Sequence, residues 1–234
     1  MDKLSSLSIF FPAFNEEKNI EEMVKQALQV LPTVAKKFEI IIVNDGSIDQ
    51  TAQIARRLSK VNKVVYSYNL KNMGYGGALK KGFDKCNYDW VFFTDSDQQF
   101  RLQELKKLVK HADKFKLIIG FRKNRAEGFK RHLLAQALKW RNRLWLGFPA
   151  DIKDIDCAYK LIHRHVLTQV LPLKSNGAMV STELLLKAHQ NDIPYKQVGV
   201  KHYLRPEGSP TGSNYQVIYK AIKDTFMLRR TLRL

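Results

Sequence analysis

The chain has 234 residues, of which 44% are hydrophobic, and this composition excludes an intrinsically disordered protein. Its two cysteines, Cys86 and Cys157, are too few for a disulfide framework or a cysteine-rich zinc site, which favours a reduced, cytoplasmic setting. The polar N-terminus, residues 1–8, is not typical of a secretory signal, and no apolar run approaches the roughly 20 residues of a membrane-spanning helix. We therefore expect a soluble or peripheral protein.

The charge is strongly positive: 40 Lys and Arg against 22 Asp and Glu give a net charge of +18. Such an excess favours anionic partners, namely nucleic acid, nucleotides or acidic lipid. The excess is concentrated in the second half, above all between residues 122 and 143. Nothing in the chain is typical of a helix-turn-helix, an RNA-recognition domain or a zinc finger, so we expect no nucleic-acid partner.

The first half alternates apolar runs with helical patterns. The predicted strands are 7–11, 38–43, 63–68, 90–94 and 117–120, and the predicted helices are 16–30, 49–59, 74–83 and 102–112. This rhythm predicts an α/β fold with a Rossmann-like, mostly parallel sheet flanked by helices. Ligands of such sheets bind beyond the C-terminal ends of the strands.

The second half is less regular. Its predicted helices are 129–145, 181–190 and 215–230, and its predicted strands are 157–163 and 195–203. We found no repeat and no linker long enough to separate domains, so the sequence predicts a single domain over residues 1–234.

Acidic and amide side chains cluster where the predicted strands end. A lone Asp after a strand usually only caps a turn. Asp95, Asp97 and Gln99, however, offer three oxygen ligands at alternate positions after the fourth strand. Hard oxygen ligands are what Mg²⁺ or Mn²⁺ shared with a diphosphate requires, so this segment predicts a metal site.

Four segments in the first half, in their order and spacing, resemble glycosyltransferase family 2, which has the GT-A fold. They are Phe-Phe-Pro-Ala-Phe-Asn-Glu-Glu at 10–17, Ile-Val-Asn-Asp-Gly-Ser-Ile-Asp-Gln-Thr at 42–51, Asn-Met-Gly-Tyr-Gly-Gly-Ala at 72–78 and Thr-Asp-Ser-Asp-Gln-Gln at 94–99. The resemblance implies a nucleotide-diphosphate sugar as donor and Mg²⁺ or Mn²⁺ as cofactor.

The same resemblance implies roles for individual residues. Those matching the family's nucleotide and metal positions are Pro12, Phe14, Glu16, Asp45 and Asp97. Glu16 and Asp45 are expected to accept N–H donors from the base, and Asp97 with Gln99 to hold the metal. Asp95 is expected near the donor sugar or the metal. Gly74 permits a close backbone approach to the nucleotide, or simply begins a helix.

The second half resembles the polyprenol-phosphate branch of the family, typified by dolichol-phosphate mannose synthase. The matching residues are 120–122, 131, 154–160, 182–183 and 205–209. This resemblance implies a polyprenyl phosphate acceptor whose phosphate is bound by Arg122, Arg131 and Arg205. Residues 1–121 would then form the nucleotide-sugar half of the domain, and residues 122–234 the half that meets acceptor and membrane.

Two acceptor classes remain open. A lipid phosphate is already an anionic nucleophile, so inverting transfer to it requires no base. Transfer to a hydroxyl of a saccharide or glycolipid requires one, and Asp154 or Asp156 would be the candidates.

The expected location is the cytoplasmic membrane face, with the protein peripheral on an anionic surface. The aromatic and basic stretch 139–148 fits a helix lying in the lipid interface. It equally fits a helix that packs its apolar side on the sheet.

Overall fold

The computed structural model describes residues 2–123, 145–207 and 224–230, and these contain one seven-stranded sheet with helices on both faces. The strands are β1 Leu4–Ala13, β2 Ala35–Asn44, β3 Val65–Asn69, β4 Trp90–Thr94, β5 Leu117–Arg122, β6 Tyr159–His163 and β7 Tyr195–Val200. The helices are α1 Ile20–Val34, α2 Thr51–Val61, α3 Tyr75–Lys85, α4 Leu105–Val109, α5 Arg164–Val170 and α6 Val180–Gln190. Residues 224–230 are also helical.

The order of the strands is β3-β2-β1-β4-β6-β5-β7. All neighbouring pairs are parallel except those of β6, which runs antiparallel to both β4 and β5. The predicted α/β fold with a mostly parallel sheet is therefore confirmed.

Alternate side chains of the central strands bury themselves on opposite faces of the sheet, as the two-residue period of a strand requires. Ile9 and Phe11 of β1 pack in the cluster that contains α1, whereas Phe10 packs with α3 and α6. The Phe10 ring stacks on Phe93 with ring centroids 5.4 Å apart. A Cβ at Gly82 would lie 2.3 Å from the Phe10 ring, so this helix approaches the sheet only because position 82 has no side chain. Because β1 is parallel to both β2 and β4, the C-terminal ends of these three strands lie at one edge of the sheet.

Several element boundaries differ from the sequence expectations. Helix α1 begins at Ile20 rather than near residue 16 and continues past Pro32. The predicted helix 102–112 is a short 3₁₀ turn, Leu102–Glu104, followed by α4. The predicted helix 129–145 falls almost wholly outside the described residues, as does the first part of 215–230.

Candidate active site

The loops that follow β1, β2 and β4 are hydrogen-bonded to one another. The Asn15 backbone N–H donates to Ser47 Oγ at 2.9 Å, and Ile48 N–H donates back to Asn15 Oδ1 at 3.0 Å. Asn15 has a φ of 56°, a left-handed conformation that asparagine tolerates better than most residues. The Ser96 hydroxyl donates to the Pro12 carbonyl at 2.8 Å, which ties in the third loop. The predicted nucleotide and metal residues are thus held on one connected frame.

Glu16 is buried with both carboxylate oxygens engaged. Asn19 Nδ2 donates to one oxygen at 2.7 Å, and Arg205 Nη2 donates to the other at 2.7 Å. Burial raises the pKa of Glu16, and the bonds from Asn19 and Arg205 act in the opposite direction. The backbone N–H of Glu16 donates to Thr51 Oγ1 at 2.8 Å. Residues 15–17 bond to the loop after β2 and to the start of α2, which explains why α1 begins later than the pattern predicts.

Asp45 links the loop after β2 to the start of α3. Its Oδ1 accepts a hydrogen bond from Met73 N–H at 2.6 Å, and Gly74 N–H also donates to this carboxylate. Burial raises the pKa of Asp45, while these two N–H donors lower it. Gly74 has a φ of 78°, which favours glycine at this turn.

The segment after β4 has an unsatisfied acidic group. Asp95 Oδ1 is buried and has no hydrogen-bond partner among the described residues, while the Tyr75 hydroxyl bonds to the Asp95 carboxylate. Burial and then the negative charge of Asp97 raise the pKa of Asp95 well above its usual range. Asp97 Oδ1 accepts a bond from Gln99 N–H at 3.1 Å. The Gln99 side-chain amide donates to the Tyr203 carbonyl at 3.3 Å.

These residues fit a divalent metal that is bound jointly by protein carboxylates and by a substrate phosphate. Within residues 2–123, 145–207 and 224–230, no three His, Cys, Asp or Glu side chains form a ready metal cluster. Mg²⁺, however, is usually held by only one or two carboxylates together with substrate phosphates. A buried carboxylate oxygen without a partner beside a second carboxylate is the arrangement that a cation would stabilise.

Arg205 lies among the acidic groups of the nucleotide side. Its guanidinium contacts Glu16, and its Nη1 lies 3.8 Å from Asp97 Oδ2. Its Nε donates to the Glu207 carbonyl at 2.6 Å. Arg205 therefore bridges the loops that follow β1 and β4. The acceptor-phosphate role that its sequence context implies stays a prediction.

Arg122 makes a two-pronged ion pair with Asp154. Nε donates to Asp154 Oδ2 at 2.7 Å and Nη2 donates to Oδ1 at 2.8 Å, and both side chains are largely buried. Burial alone would lower the pKa of Arg122, but the hydrogen bonds that it donates to Asp154 outweigh burial and raise this pKa. Both carboxylate oxygens of Asp154 are occupied, so this residue is poorly placed to remove a proton. Asp156 is exposed, and Arg131 lies outside the described residues.

Two site groups were not singled out from the sequence. Tyr75 contacts Asp95, and Lys160 is a fully buried lysine whose Nζ donates to the carbonyls of Ile155 at 3.2 Å and Cys157 at 2.5 Å. Burial lowers the pKa of Lys160. Both residues lie inside segments that resemble the family. In the sequence, Lys160 could have been identified as a lysine within the mostly apolar strand β6.

Comparisons with known proteins agree with this geometry. The chain matches the family described as Glycosyl transferase family 2 over residues 8–171, which is more than half of its length. Among solved structures, glucosyl-3-phosphoglycerate synthase from Mycobacterium tuberculosis superposes with a TM-score of 0.75 at 20% identity, covering 96% of this chain and 80% of that chain. The strand order and the likeness to this solved structure show that the chain has the GT-A fold. The chain belongs to glycosyltransferase family 2.

Curated relatives come from the branch that the second half resembles. An undecaprenyl-phosphate 4-deoxy-4-formamido-L-arabinose transferase from Pectobacterium atrosepticum is 27% identical over 174 residues, covering 73% of this chain and 53% of the relative. Dolichyl-phosphate beta-glucosyltransferase from Saccharomyces cerevisiae is 26% identical, covering 95% of this chain and 74% of the relative. The human protein of that name is 27% identical, covering 87% and 68%. The chain thus spans about half the length of the bacterial relative.

Proposed function

We propose that this glycosyltransferase moves a sugar from a UDP- or GDP-sugar to a polyprenyl phosphate, with inversion and with a divalent metal. The observation that carries the proposal is the convergence of Asp45, Asp95 and Asp97 on one frame at the strand ends, within a family 2 chain. The relatives named above are transferases to undecaprenyl phosphate or dolichyl phosphate. A GT-A neighbour at 19% identity has been solved with Mn²⁺, UDP and its glucosylated product, which supports the same donor chemistry.

On the donor side, the chain binds and orients the nucleotide and its diphosphate. Asp45 and Glu16 lie after the first two strands, where a doubly wound sheet binds its nucleotide. Asp97, with Asp95 and Gln99, would hold Mg²⁺ or Mn²⁺. A bound ion of this kind offsets the diphosphate charge and stabilises it as leaving group.

On the acceptor side, the structure favours a phosphate over a hydroxyl. A hydroxyl acceptor needs a base, but both oxygens of Asp154 are engaged by Arg122. A phosphate acceptor needs cations instead, and its oxygen attacks the anomeric carbon from the face opposite the leaving diphosphate, which inverts the configuration. Arg122, Arg131 and Arg205 are the proposed cations. The exposed Asp156 is the remaining base candidate for a hydroxyl acceptor.

An exposed aromatic and basic surface supports attachment to a membrane. Trp145 packs edge-on against Phe226, with ring centroids 5.0 Å apart, and both are partly exposed. The helical residues 224–230 bury Leu228 and expose Met227, Arg229 and Arg230. Aromatic side chains beside cations suit the interface of an anionic bilayer. No helix in the described part of the chain is long and apolar enough to cross a bilayer. We propose that the enzyme acts at the cytoplasmic surface of the membrane, and the exposed aromatic and basic side chains support this location.

The deciding experiment compares two acceptors that differ only in their head group. Purified enzyme is given radiolabelled UDP- and GDP-sugars, with Mn²⁺, and either a polyprenyl phosphate or the polyprenol of the same length. We expect label in the lipid fraction only with the phosphate. Transfer to the polyprenol would replace this proposal with the hydroxyl-acceptor alternative.

A further inference from the structure

Glu183 is a fully buried acid at the start of α6, away from the acidic loops of the active site. Its carboxylate accepts hydrogen bonds from the backbone N–H groups of Lys174 at 2.9 Å and Ser175 at 2.8 Å. Lys187 Nζ lies 3.0 Å from Glu183 Oε1. Burial alone would raise the pKa of Glu183, but these donors together lower it, so the residue is a buried carboxylate anion.

The loop that Glu183 holds packs directly on the first turn of α3. Gly76 N–H donates to the Asn176 carbonyl at 2.8 Å. A Cβ at Gly76 would lie 2.5 Å from the Ser175 carbonyl oxygen, and one at Gly74 would lie 2.9 Å from that of Asn176. The two backbones are therefore in close contact because both positions are glycine.

Residues 73–75, at the start of α3, contact two acids of the active site. Met73 and Gly74 donate their N–H groups to Asp45, and the Tyr75 hydroxyl bonds to Asp95. A displacement of residues 73–75 would therefore reach both the predicted nucleotide side and the predicted metal side.

We propose that Glu183 is a positioning residue for the donor site, and that it acts through residues 174–176 on the first turn of α3. The part of this inference that concerns nucleotide affinity rests on the proposed function. Among the described residues, no hydrogen bond or ion pair joins Glu183 to Asp45 or Asp95, so its effect is transmitted by the backbone contacts of residues 174–176 with the start of α3. Such transmitted effects reach a site without any contact to the ligand.

Glu39 provides a matched control. It is also a buried acid, and it accepts bonds from Ser8 Oγ at 2.6 Å and from Asn87 N–H at 2.7 Å. It lies six residues before Asp45 on β2, roughly 20 Å toward the other end of the strand. Glu183→Gln and Glu39→Gln each replace an acceptor oxygen with an NH₂ group, so one donor bound to each carboxylate loses its partner.

The test combines hydrogen exchange without ligand and titration with UDP and GDP. In Glu183→Gln we expect faster amide exchange in residues 73–76 and roughly three- to thirtyfold weaker binding of whichever nucleotide the wild type binds. In Glu39→Gln we expect faster exchange at Asn87, with exchange in residues 73–76 and nucleotide affinity unchanged. Lys187→Met, which removes the cation beside Glu183, should act in the same direction less strongly, and it serves if Glu183→Gln does not fold.

Failure of the positioning role and failure of the proposed function give different results. Unchanged exchange in residues 73–76 of the Glu183 and Lys187 variants, or an equal change in Glu39→Gln, overturns the positioning role. If the wild type binds neither UDP nor GDP, the proposed donor is wrong, while the exchange data still decide whether Glu183 positions α3.

Discussion

Two acidic residues at the candidate site, Asp154 and Asp95, differ in how their carboxylate oxygens are hydrogen-bonded. Asp154 meets one arginine through both oxygens, so its charge is neutralised within the protein. Asp95 has a buried oxygen that no group in the described part of the chain hydrogen-bonds, and it lies near a second carboxylate. An acid whose two oxygens are both engaged suits a structural role, whereas a buried carboxylate close to a second carboxylate suits a site that binds a cation.

The largest expected effect comes from removing the predicted metal ligand. Asp97→Ala should reduce sugar transfer by roughly 10²–10³-fold, because several kcal/mol of leaving-group stabilisation depend on the metal. The measurement is the initial rate at saturating Mn²⁺, together with direct Mn²⁺ binding followed by electron paramagnetic resonance. Asp113→Ala removes an exposed acid after α4 and should change neither quantity. Normal turnover by Asp97→Ala would contradict the metal assignment.

Breaking the Arg122–Asp154 pair should lower the stability of the folded protein. Asp154→Leu leaves the largely buried Arg122 guanidinium unpaired and should lower the free energy of unfolding by about 3 kcal/mol. The double variant Arg122→Met with Asp154→Leu should regain most of that loss, which urea unfolding would measure. If the double variant also recovers transfer to polyprenyl phosphate, Arg122 has no role at the acceptor.

A variant of Arg205 tests whether one guanidinium serves both the acidic loops and the acceptor phosphate. Arg205→Ala should lower the transfer rate by about one to two decades, since a charge-assisted contact contributes roughly 1.5–3 kcal/mol. Lys106→Ala, which removes an exposed lysine of α4, is the control for general attraction to an anionic membrane. Steady-state kinetics with donor and acceptor varied separately will show which KM changes. An effect confined to nucleotide affinity would assign Arg205 to the donor alone.

The smallest expected effect concerns the aromatic and basic surface. Phe226→Ser should weaken binding to phosphatidylglycerol vesicles severalfold, and Arg229→Ser should do so by about 1 kcal/mol at low salt. Sedimentation with anionic and neutral vesicles measures both. Ile48→Ser changes an apolar side chain that is 91% exposed elsewhere on the protein and should have no effect. Equal binding of all variants would exclude this surface as the attachment site.

The sequence predicted the fold well where local pattern and global packing agree. Strand β4 was predicted with the bounds that the structure has, because its five residues are all buried between polar ends. The boundaries of α1 could not be predicted, since they depend on bonds from residues 15–17 to the distant loop after β2. Helix α5 was missed because it follows β6 directly, with His163 as its N-cap.

The sequence predicted which acids lie together at the candidate site, but not the partners of each side chain. Asp45, Asp95 and Asp97 could be identified because acids at strand ends converge in this kind of sheet. The pairing of Arg205 with Glu16 joins residues 189 positions apart, and no local pattern encodes it. The positioning role proposed for Glu183 depends on which loop packs on α3, and that contact is likewise a property of the tertiary structure.

The position of β6 between β4 and β5 has a consequence for how this chain folds during its synthesis. β5 ends at Arg122, yet both of its neighbours in the sheet, β6 and β7, come later in the chain. A nascent chain that has emerged only as far as residue 122 can pair β1 through β4 but must leave β5 without a partner strand. Closure of the sheet therefore waits until β6 emerges and inserts between β4 and β5. Until then β5, whose first four residues are buried in the finished fold, has two unpaired edges and is an apolar strand that can aggregate on the ribosome.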